Sequence, residues 1–216
     1  LEYVRHGDRP KWLIHTGTHG DETGVIESVR VYLRKYWDEL PDFLWVEKAS
    51  PSACALRTRR NKYGNDLNRM FREGTDDPEA LANLALLEKY ALECFISVHE
   101  DPEHFNTFYL YDSHNDRRNL DGLFTELFSQ GIHAFDGIDD PNDPALGNRI
   151  IAGYHSLERI REDGTTFDYL YRIARICGRR LNLEIPGLAK QETKDFIVQA
   201  FFRYLLEWWS GWWSQE

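Results

Sequence analysis

The sequence predicts an α/β protein in which a mixed, mostly parallel twisted sheet is flanked by helices. Short apolar runs of strand length alternate with longer segments whose apolar residues recur at helical spacing. Three of the strands lead into polar side chains that can bind a metal or a proton, which suggests a site at the carboxyl ends of the sheet. No linker or repeat divides the chain, so we expect residues 1–216 to form one domain.

Composition and charge narrow the possible classes of function. Apolar residues make up 42% of the chain, as in globular proteins, and the formal net charge of −10 argues against a nucleic-acid partner. The three cysteines are widely spaced and lack a CxxC pair, which predicts no disulfide framework and favours a reducing, cytoplasmic location. No apolar run approaches the roughly 20 residues of a membrane helix, so no membrane partner is expected.

The first strand, turn and helix contain two potential metal ligands. A buried strand is predicted from Trp12, and an amphipathic helix begins at about Glu22. His19 lies three residues before Glu22, so a chain entering its first helical turn can direct both side chains at one centre. The alternative is that Asp21 or Thr18 caps the helix and His19 is a solvated loop residue.

A strand predicted over residues 43–49 leads into a basic loop over residues 57–71. Four arginines of this acidic protein lie in that loop, interleaved with Asn and Gly rather than placed at helical spacing. Such an arrangement suits the binding of an anion. The alternative is a solvated loop whose arginines balance nearby carboxylates.

A later strand ends on a histidine. A helix is predicted over residues 77–93, and the apolar strand that follows ends on His99, where it can complete a site at the strand ends. His99, Glu100 and His104 resemble the HExxH motif, but the spacing is one residue too long and a proline intervenes. We therefore reject that motif.

The remaining elements follow from the same patterns. The predicted strands are 106–111, 150–154 and 180–187, and the predicted helices are 116–130, 165–177 and 192–209. Residues 131–148 are predicted to form an irregular loop, which can line one side of a pocket. Four tryptophans near the end of the last helix (208, 209, 212 and 213) predict core packing or a surface for self-association.

Four segments, taken in order, resemble the zinc carboxypeptidase superfamily. That superfamily includes the digestive carboxypeptidases, the bacterial murein-peptide amidases and the succinylglutamate desuccinylase and aspartoacylase branch. The segments are His19-x-x-Glu22, Arg60 followed by Asp66-Leu67-Asn68-Arg69-Met70-Phe71, His99 at a strand end, and Glu184 within Leu-Glu-Ile-Pro. Each motif alone is weak, but four in this order are specific.

The resemblance implies a metal site and a substrate site. His19, Glu22 and His99 would bind one Zn²⁺ per chain, and two neutral imidazoles with one carboxylate leave that ion a net positive charge. Asn68 and Arg69 would hold the terminal carboxylate of the substrate.

The resemblance also implies the catalytic groups. Glu184 would be the general base, and Arg60 would stabilise the oxyanion, with Arg57 or Arg59 as alternatives. Glu100 and Asp101 could orient His99. The candidates for a tyrosine that covers the substrate are Tyr154, Tyr169 and Tyr171, of which we expect at least two to be packing residues.

The implied reaction is hydrolysis of an amide bond next to a free carboxylate. We predict a minimal metallocarboxypeptidase acting on peptides, cell-wall peptides among them. The acylase branch carries a further β-rich domain where this sequence predicts one helix after Glu184, so an N-acyl-amino-acid deacylase is the second choice. A non-catalytic zinc-containing domain that binds carboxyl termini is the alternative of another class, and Glu184 argues against it because a binder needs no base.

Overall fold

The computed structural model describes residues 1–114, 117–139, 148–156, 164–166, 169–170 and 178–213. The strands are β1 (Val4–His6), β2 (Trp12–His15), β3 (Phe43–Val46), β4 (Cys94–Asp101), β5 (Thr107–Asp112), β6 (His133–Ala134), β7 (Gly137–Ile138), β8 (Arg149–Ile150), β9 (Tyr154–Ser156) and β10 (Arg179–Pro186). The α-helices are α1 (Gly24–Lys35), α2 (Pro51–Leu56), α3 (Pro78–Leu87), α4 (Asp121–Ser129) and α5 (Gln191–Trp213). Single 3₁₀ turns occur at Trp37–Glu39, Leu67–Arg69 and Arg117–Leu120.

A mixed sheet with mostly parallel pairings forms the centre of the protein, which confirms the predicted fold class. Its strand order is β1-β3-β2-β4-β10-β5-β6, and β9 also pairs with β5. The central strands β3, β2, β4 and β10 are parallel, whereas β1 and β5 run antiparallel to β3 and β10. The carboxyl ends of β2, β4 and β10 therefore lie side by side at one edge.

The sheet is covered on both faces, as expected for parallel strands. Side chains alternate along β2, so that Trp12 and Ile14 join the core beneath α1, α4 and α5, while Leu13 joins the core beneath α3. All four residues of β2 are buried. This double burial explains why Trp12, Leu13 and Ile14 form an uninterrupted apolar run, which the buried His15 ends.

Several predicted boundaries differ from those observed. The predicted strand at 150–154 is wrong, because Ala152 and Gly153 adopt left-handed φ angles of 47° and 74° and turn the chain between β8 and β9. β4 continues past its apolar run to Asp101, because its pairing with β10 continues to that residue. β1 and α2 were not predicted, since the polar segment of β1 and the short α2 have no extended apolar period. Most of the predicted helix at 165–177 lies outside the described residues.

The tryptophans of α5 that the structure describes pack against the chain itself. The ring of Trp209 meets that of Trp12 edge-on, with centroids 5.6 Å apart, and the guanidinium of Arg179 lies 4.6 Å from the ring centroid of Trp208. The side chains of Trp212 and Trp213 lie outside the described residues. Across the described ranges, none of the helices is both long enough and apolar enough to span a bilayer.

A buried ion pair ties β5 to β10. Arg179 Nε and Nη2 donate to the two carboxylate oxygens of Asp112 at 3.1 and 2.6 Å, and the Tyr154 hydroxyl donates to Asp112 at 3.0 Å. Both charged side chains are almost fully buried. Each charge therefore depends on its partner.

The variant Asp112→Ala should destabilise the fold by about 3–5 kcal/mol, because it leaves the buried Arg179 charge without its carboxylate. Urea unfolding followed by circular dichroism measures this loss. Asp8→Ala, which removes the exposed pair with Arg5, is the control and should leave the midpoint nearly unchanged. Equal midpoints for the two variants would contradict the structural role of the buried pair.

Candidate metal centre

His19, Glu22 and His99 come together at the carboxyl edge of the sheet. One potential ligand atom from each lies within 4.8 Å of the others, and all three residues are buried. Glu22 is central: its Oε1 contacts His19 Nδ1, and its Oε2 accepts a hydrogen bond from His99 Nδ1 at 2.8 Å. The structure therefore brings the three predicted ligands to one point.

The turn between β2 and α1 holds two of these residues, and glycines fix its path. Gly17 has a left-handed φ of 61°. A Cβ on Gly20 would lie 1.8 Å from the Ala53 carbonyl oxygen, so the turn rests directly on α2. His19 and Glu22 are thus held next to the start of α1.

Asp66 orients His19 from the far side of the ring. His19 Nε2 donates to Asp66 Oδ1 at 3.1 Å, which leaves Nδ1 directed at Glu22. Asp66 Oδ2 accepts a hydrogen bond from Arg59 Nε at 3.1 Å, and Oδ1 accepts one from the Asn68 N–H at 2.9 Å. A carboxylate behind a histidine fixes the ring and raises the basicity of its other nitrogen, as at known metal sites.

The charges of the centre are strongly coupled. Burial disfavours the imidazolium, but the Glu22 carboxylate and the hydrogen bonds with Asp66 and Glu22 outweigh it and raise the pKa of His19 to about 9. Burial alone would raise the pKa values of Glu22 and Asp66. Instead, His19 and His99 lower that of Glu22, and His19 and Arg59 lower that of Asp66.

The donor set fits a zinc ion. Two imidazoles and one carboxylate are the protein ligands of many catalytic zinc sites, and Asp66 supplies the expected orienting partner for one of the imidazoles. A bound cation would also compensate the buried negative charge of Glu22 without the proton that His19 otherwise carries. The structure thus supports a metal site at these residues on chemical grounds.

Glu184 lies opposite His99 on the neighbouring strand. In the parallel pairing of β4 with β10, Glu184 is the register partner of His99. Burial, together with the negative charges of Glu22, Asp139 and Asp101, raises the pKa of Glu184 well above its usual range. Asn182 Nδ2 donates to its carboxylate at 3.1 Å. A carboxylate with a raised pKa next to a metal site suits a proton-transfer role.

The basic loop brings Arg59, rather than Arg60, to the centre. Arg59 Nη1 lies 3.4 Å from His19 Nδ1 and 4.0 Å from Glu22 Oε1, and its side chain is half exposed. The exposed Arg60 instead donates to the Gly64 carbonyl oxygen at 3.0 Å. Arg57 is exposed and ends α2 with a left-handed φ of 55°. Of the three arginines considered for the oxyanion, Arg59 is the one beside the ligands.

Asn68 and Arg69 lie in the same loop, next to Asp66. Arg69 Nη1 donates to the Asn68 carbonyl oxygen at 3.0 Å, and the positive charge of Arg69 helps to lower the pKa of Asp66. The loop is tied to α3 by Asp77, which accepts hydrogen bonds from Asn61 and Asn65 at 2.7 and 2.8 Å. The assignment of Asn68 and Arg69 to the substrate carboxylate stays a prediction.

Two acidic residues considered as partners of His99 have other partners. Glu100 accepts a hydrogen bond from the Val25 N–H at 2.7 Å and pairs with the buried Lys194. Asp101 accepts a hydrogen bond from the Tyr109 hydroxyl at 2.9 Å. Sequence analysis missed Lys194, although the alternation of strand side chains could have shown that Glu100 faces away from His99.

Two of the three tyrosine candidates lie within the described residues, and both are packed into the protein. Tyr154 is buried and donates to Asp112, and Tyr169 is buried in the core beneath α3. Both are therefore packing residues, as expected of at least two. Tyr171 lies outside the described residues.

Comparisons with solved structures identify the fold. A protein from Shewanella baltica OS155, provisionally named a metallopeptidase, aligns over 95% of this chain and 80% of its own, with 19% identity and a TM-score of 0.74. The metallo-carboxypeptidase of Burkholderia cenocepacia aligns over 93% and 57%, with 16% identity and a TM-score of 0.63. The murein-tripeptide amidase MpaA of Escherichia coli O157 aligns over 93% and 82%, with 18% identity and a TM-score of 0.58.

The chain thus has the same fold as these solved metallopeptidase, carboxypeptidase and amidase structures, which is the fold that the sequence resemblance implies. No family model matches the sequence, and no curated protein matches it. At these low identities the likeness establishes the fold, so the activity must be argued from the site itself.

Zinc binding should strengthen with rising pH. The ordinary pKa of histidine is 6.5, and that of His19 is raised to about 9, so at neutral pH His19 must release a proton before it can bind a metal. The apparent affinity should rise about tenfold per pH unit between pH 6.5 and 8.5. The same proton on His19 stabilises the metal-free fold. Its contribution to stability is fully present below pH 6.5 and is lost as the pH rises towards 9.

Calorimetry of zinc binding at pH 7.5, in buffers of different ionisation enthalpy, should reveal the release of at least about one proton per bound ion. His6→Ala, which removes an imidazole of the β1 edge, serves as the control and should release the same number. An affinity that does not change over this pH range would contradict the assignment of His19.

Proposed function

We propose that this chain is a zinc-dependent hydrolase that cleaves an amide bond next to a free carboxylate, acting on peptides as a minimal metallocarboxypeptidase. The observation that carries the proposal is the position of Glu184, in register with His99 on the neighbouring strand. This register supports a role for the Glu184 carboxylate as proton acceptor next to the three potential zinc ligands His19, Glu22 and His99. A site that only bound metal or peptide would have no use for that carboxylate.

His19, Glu22 and His99 would hold the zinc ion. Such an ion polarises the scissile carbonyl and lowers the pKa of water to about 7. Asp66 keeps the ring of His19 aimed at the site through its hydrogen bond to Nε2.

Glu184 moves the proton. As the water attacks the amide carbon, Glu184 takes its proton and then delivers it to the leaving amine. Burial, and then the charges of Glu22, Asp139 and Asp101, raise the pKa of Glu184 and so strengthen it as a base. The positive charge of the ion would keep enough of this carboxylate ionised at neutral pH.

The arginines supply positive charge at two positions. Arg59, half exposed beside His19, would stabilise the oxyanion that develops on the carbonyl oxygen. Its bond to Asp66 fixes the guanidinium before the substrate arrives. Arg69, with Asn68, would bind the terminal carboxylate, because a guanidinium matches a carboxylate with two parallel hydrogen bonds.

Glu184→Gln should abolish turnover and keep the zinc site. We expect kcat to fall by at least about 100-fold, because the amide cannot accept the proton of the attacking water. Zinc content by elemental analysis should stay near that of the native protein. Glu103→Gln, an exposed change after the end of β4, is the matched control and should retain full activity.

The substrates for this assay are peptides with a free C-terminus, the same peptides amidated at the C-terminus, and N-acyl amino acids. Cleavage of the free peptides alone supports a carboxypeptidase, whereas preferred cleavage of N-acyl amino acids would replace it with a deacylase. Zinc and peptide binding without cleavage of any substrate by the native protein would contradict the hydrolase and leave a binding domain.

Replacing the two neighbouring arginines separately should identify the oxyanion group. Arg59→Ala should lower kcat by about 100- to 1,000-fold, as for loss of other oxyanion donors. Arg60→Ala is the matched control and should change kcat by less than a factor of about three, because that side chain faces solvent at Gly64. The reverse ranking in steady-state kinetics would assign the role to Arg60.

A further inference from the structure

Helix α1 begins without a capping side chain of its own. Thr23 occupies the N-cap position and makes no side-chain hydrogen bond to the helix. Glu100 supplies the missing acceptor from β4, because its Oε1 accepts a hydrogen bond from the Val25 N–H at 2.7 Å. The first turn of α1, two residues after the ligand Glu22, is therefore fixed by the strand that carries His99.

The charge of Glu100 is compensated by α5. Lys194 Nζ pairs with Glu100 Oε2, and the two residues are only 7% and 6% exposed. The pair rests on the backbone of Gly24, where a Cβ would lie 2.8 Å from Glu100 Oε1 and from Lys194 Nζ. Gln191 Nε2 donates to the Gly24 carbonyl oxygen at 3.1 Å, so a second residue of α5 holds the same turn.

The backbone of Glu100 also contacts the metal centre. Successive residues of a strand face opposite sides of the sheet, so His99 points to the ligands and Glu100 to the helices. The Glu100 N–H donates to Glu22 Oε2 at 3.3 Å, on the oxygen that also accepts from His99. One residue thus binds the ligand carboxylate through its backbone and the start of α1 through its side chain.

We propose that the buried Glu100–Lys194 pair holds Glu22 and His99 at metal-binding distance, with Lys194 as a positioning residue. The inference rests on the proposed metal-dependent function. Without Lys194, Glu100 is a buried charge lacking its partner, and it can be solvated only if it leaves the Val25 N–H. The start of α1, next to the turn that carries Glu22, then loses its attachment to the Glu100 side chain of β4.

The test is zinc affinity, measured by competition with a chromophoric chelator at fixed pH. Lys194→Met should weaken zinc binding by about 10- to 100-fold, the range seen when a group that orients a ligand is removed. The double variant Lys194→Met with Glu100→Gln should recover most of this loss. A neutral amide can still accept from the Val25 N–H and does not need the ammonium.

Arg203→Met is the matched control, since it removes the exposed ion pair of the same helix with Glu126. It should bind zinc like the native protein. If Lys194→Met fails to fold, Lys194→Gln takes its place, because it removes the charge that compensates Glu100 while keeping a polar side chain, and it should weaken zinc binding in the same direction.

The outcomes distinguish failure of the positioning role from failure of the proposed function. Native zinc affinity in Lys194→Met, with only a lower melting temperature of the metal-free protein, would overturn the positioning role and leave the proposed function standing. A double variant that binds zinc as weakly as Lys194→Met would also overturn it, because the charge pairing would then not be the cause. A native protein that binds no zinc would overturn the proposed function itself.

Discussion

The carboxylate of Glu22 is the constraint on which the site depends. It is a buried anion, and two parts of the chain supply its partners: its own turn supplies the ring of His19, and β4 supplies the ring of His99 and the N–H of Glu100. Burying such a charge is unfavourable unless every oxygen is paired. The turn before α1 and the end of β4 therefore cannot separate without exposing or neutralising Glu22.

Charges of alternating sign extend outward from this point. His19 lies between Glu22 and Asp66, Asp66 lies between His19 and Arg59, and Arg59 reaches back to within 4.0 Å of Glu22. The basic loop is therefore held to the metal centre by electrostatics, while Asp77 anchors it to α3. In the proposed hydrolase, groups that stabilise charge would be in place before a substrate binds, which would avoid reorganisation during the reaction.

Sequence patterns predicted the parts of this architecture that depend on periodicity. Buried parallel strands carry apolar residues on both faces, so the apolar runs within β2, β4 and β10 allowed these strands to be placed, and with them the ends that carry the predicted ligands and Glu184. The choice between Arg59 and Arg60 could not be made, because the two are adjacent in an irregular loop where no period fixes side-chain direction. The turn at Ala152 and Gly153 was missed for a related reason: Ile150 to Tyr154 is apolar enough for a strand, and only the backbone angles reveal the turn.

The dipeptide His99–Glu100 gives the site a property that its three ligands alone do not suggest. The His99 side chain faces the other potential ligands, and the Glu100 side chain faces the helices. A change in the register of β4 would therefore move both side chains at once. A protein engineer who grafted only the His19, Glu22 and His99 side chains onto another scaffold would copy the donors without the parts that keep them aligned. Under the proposed positioning role, a graft would also need Glu100 and Lys194.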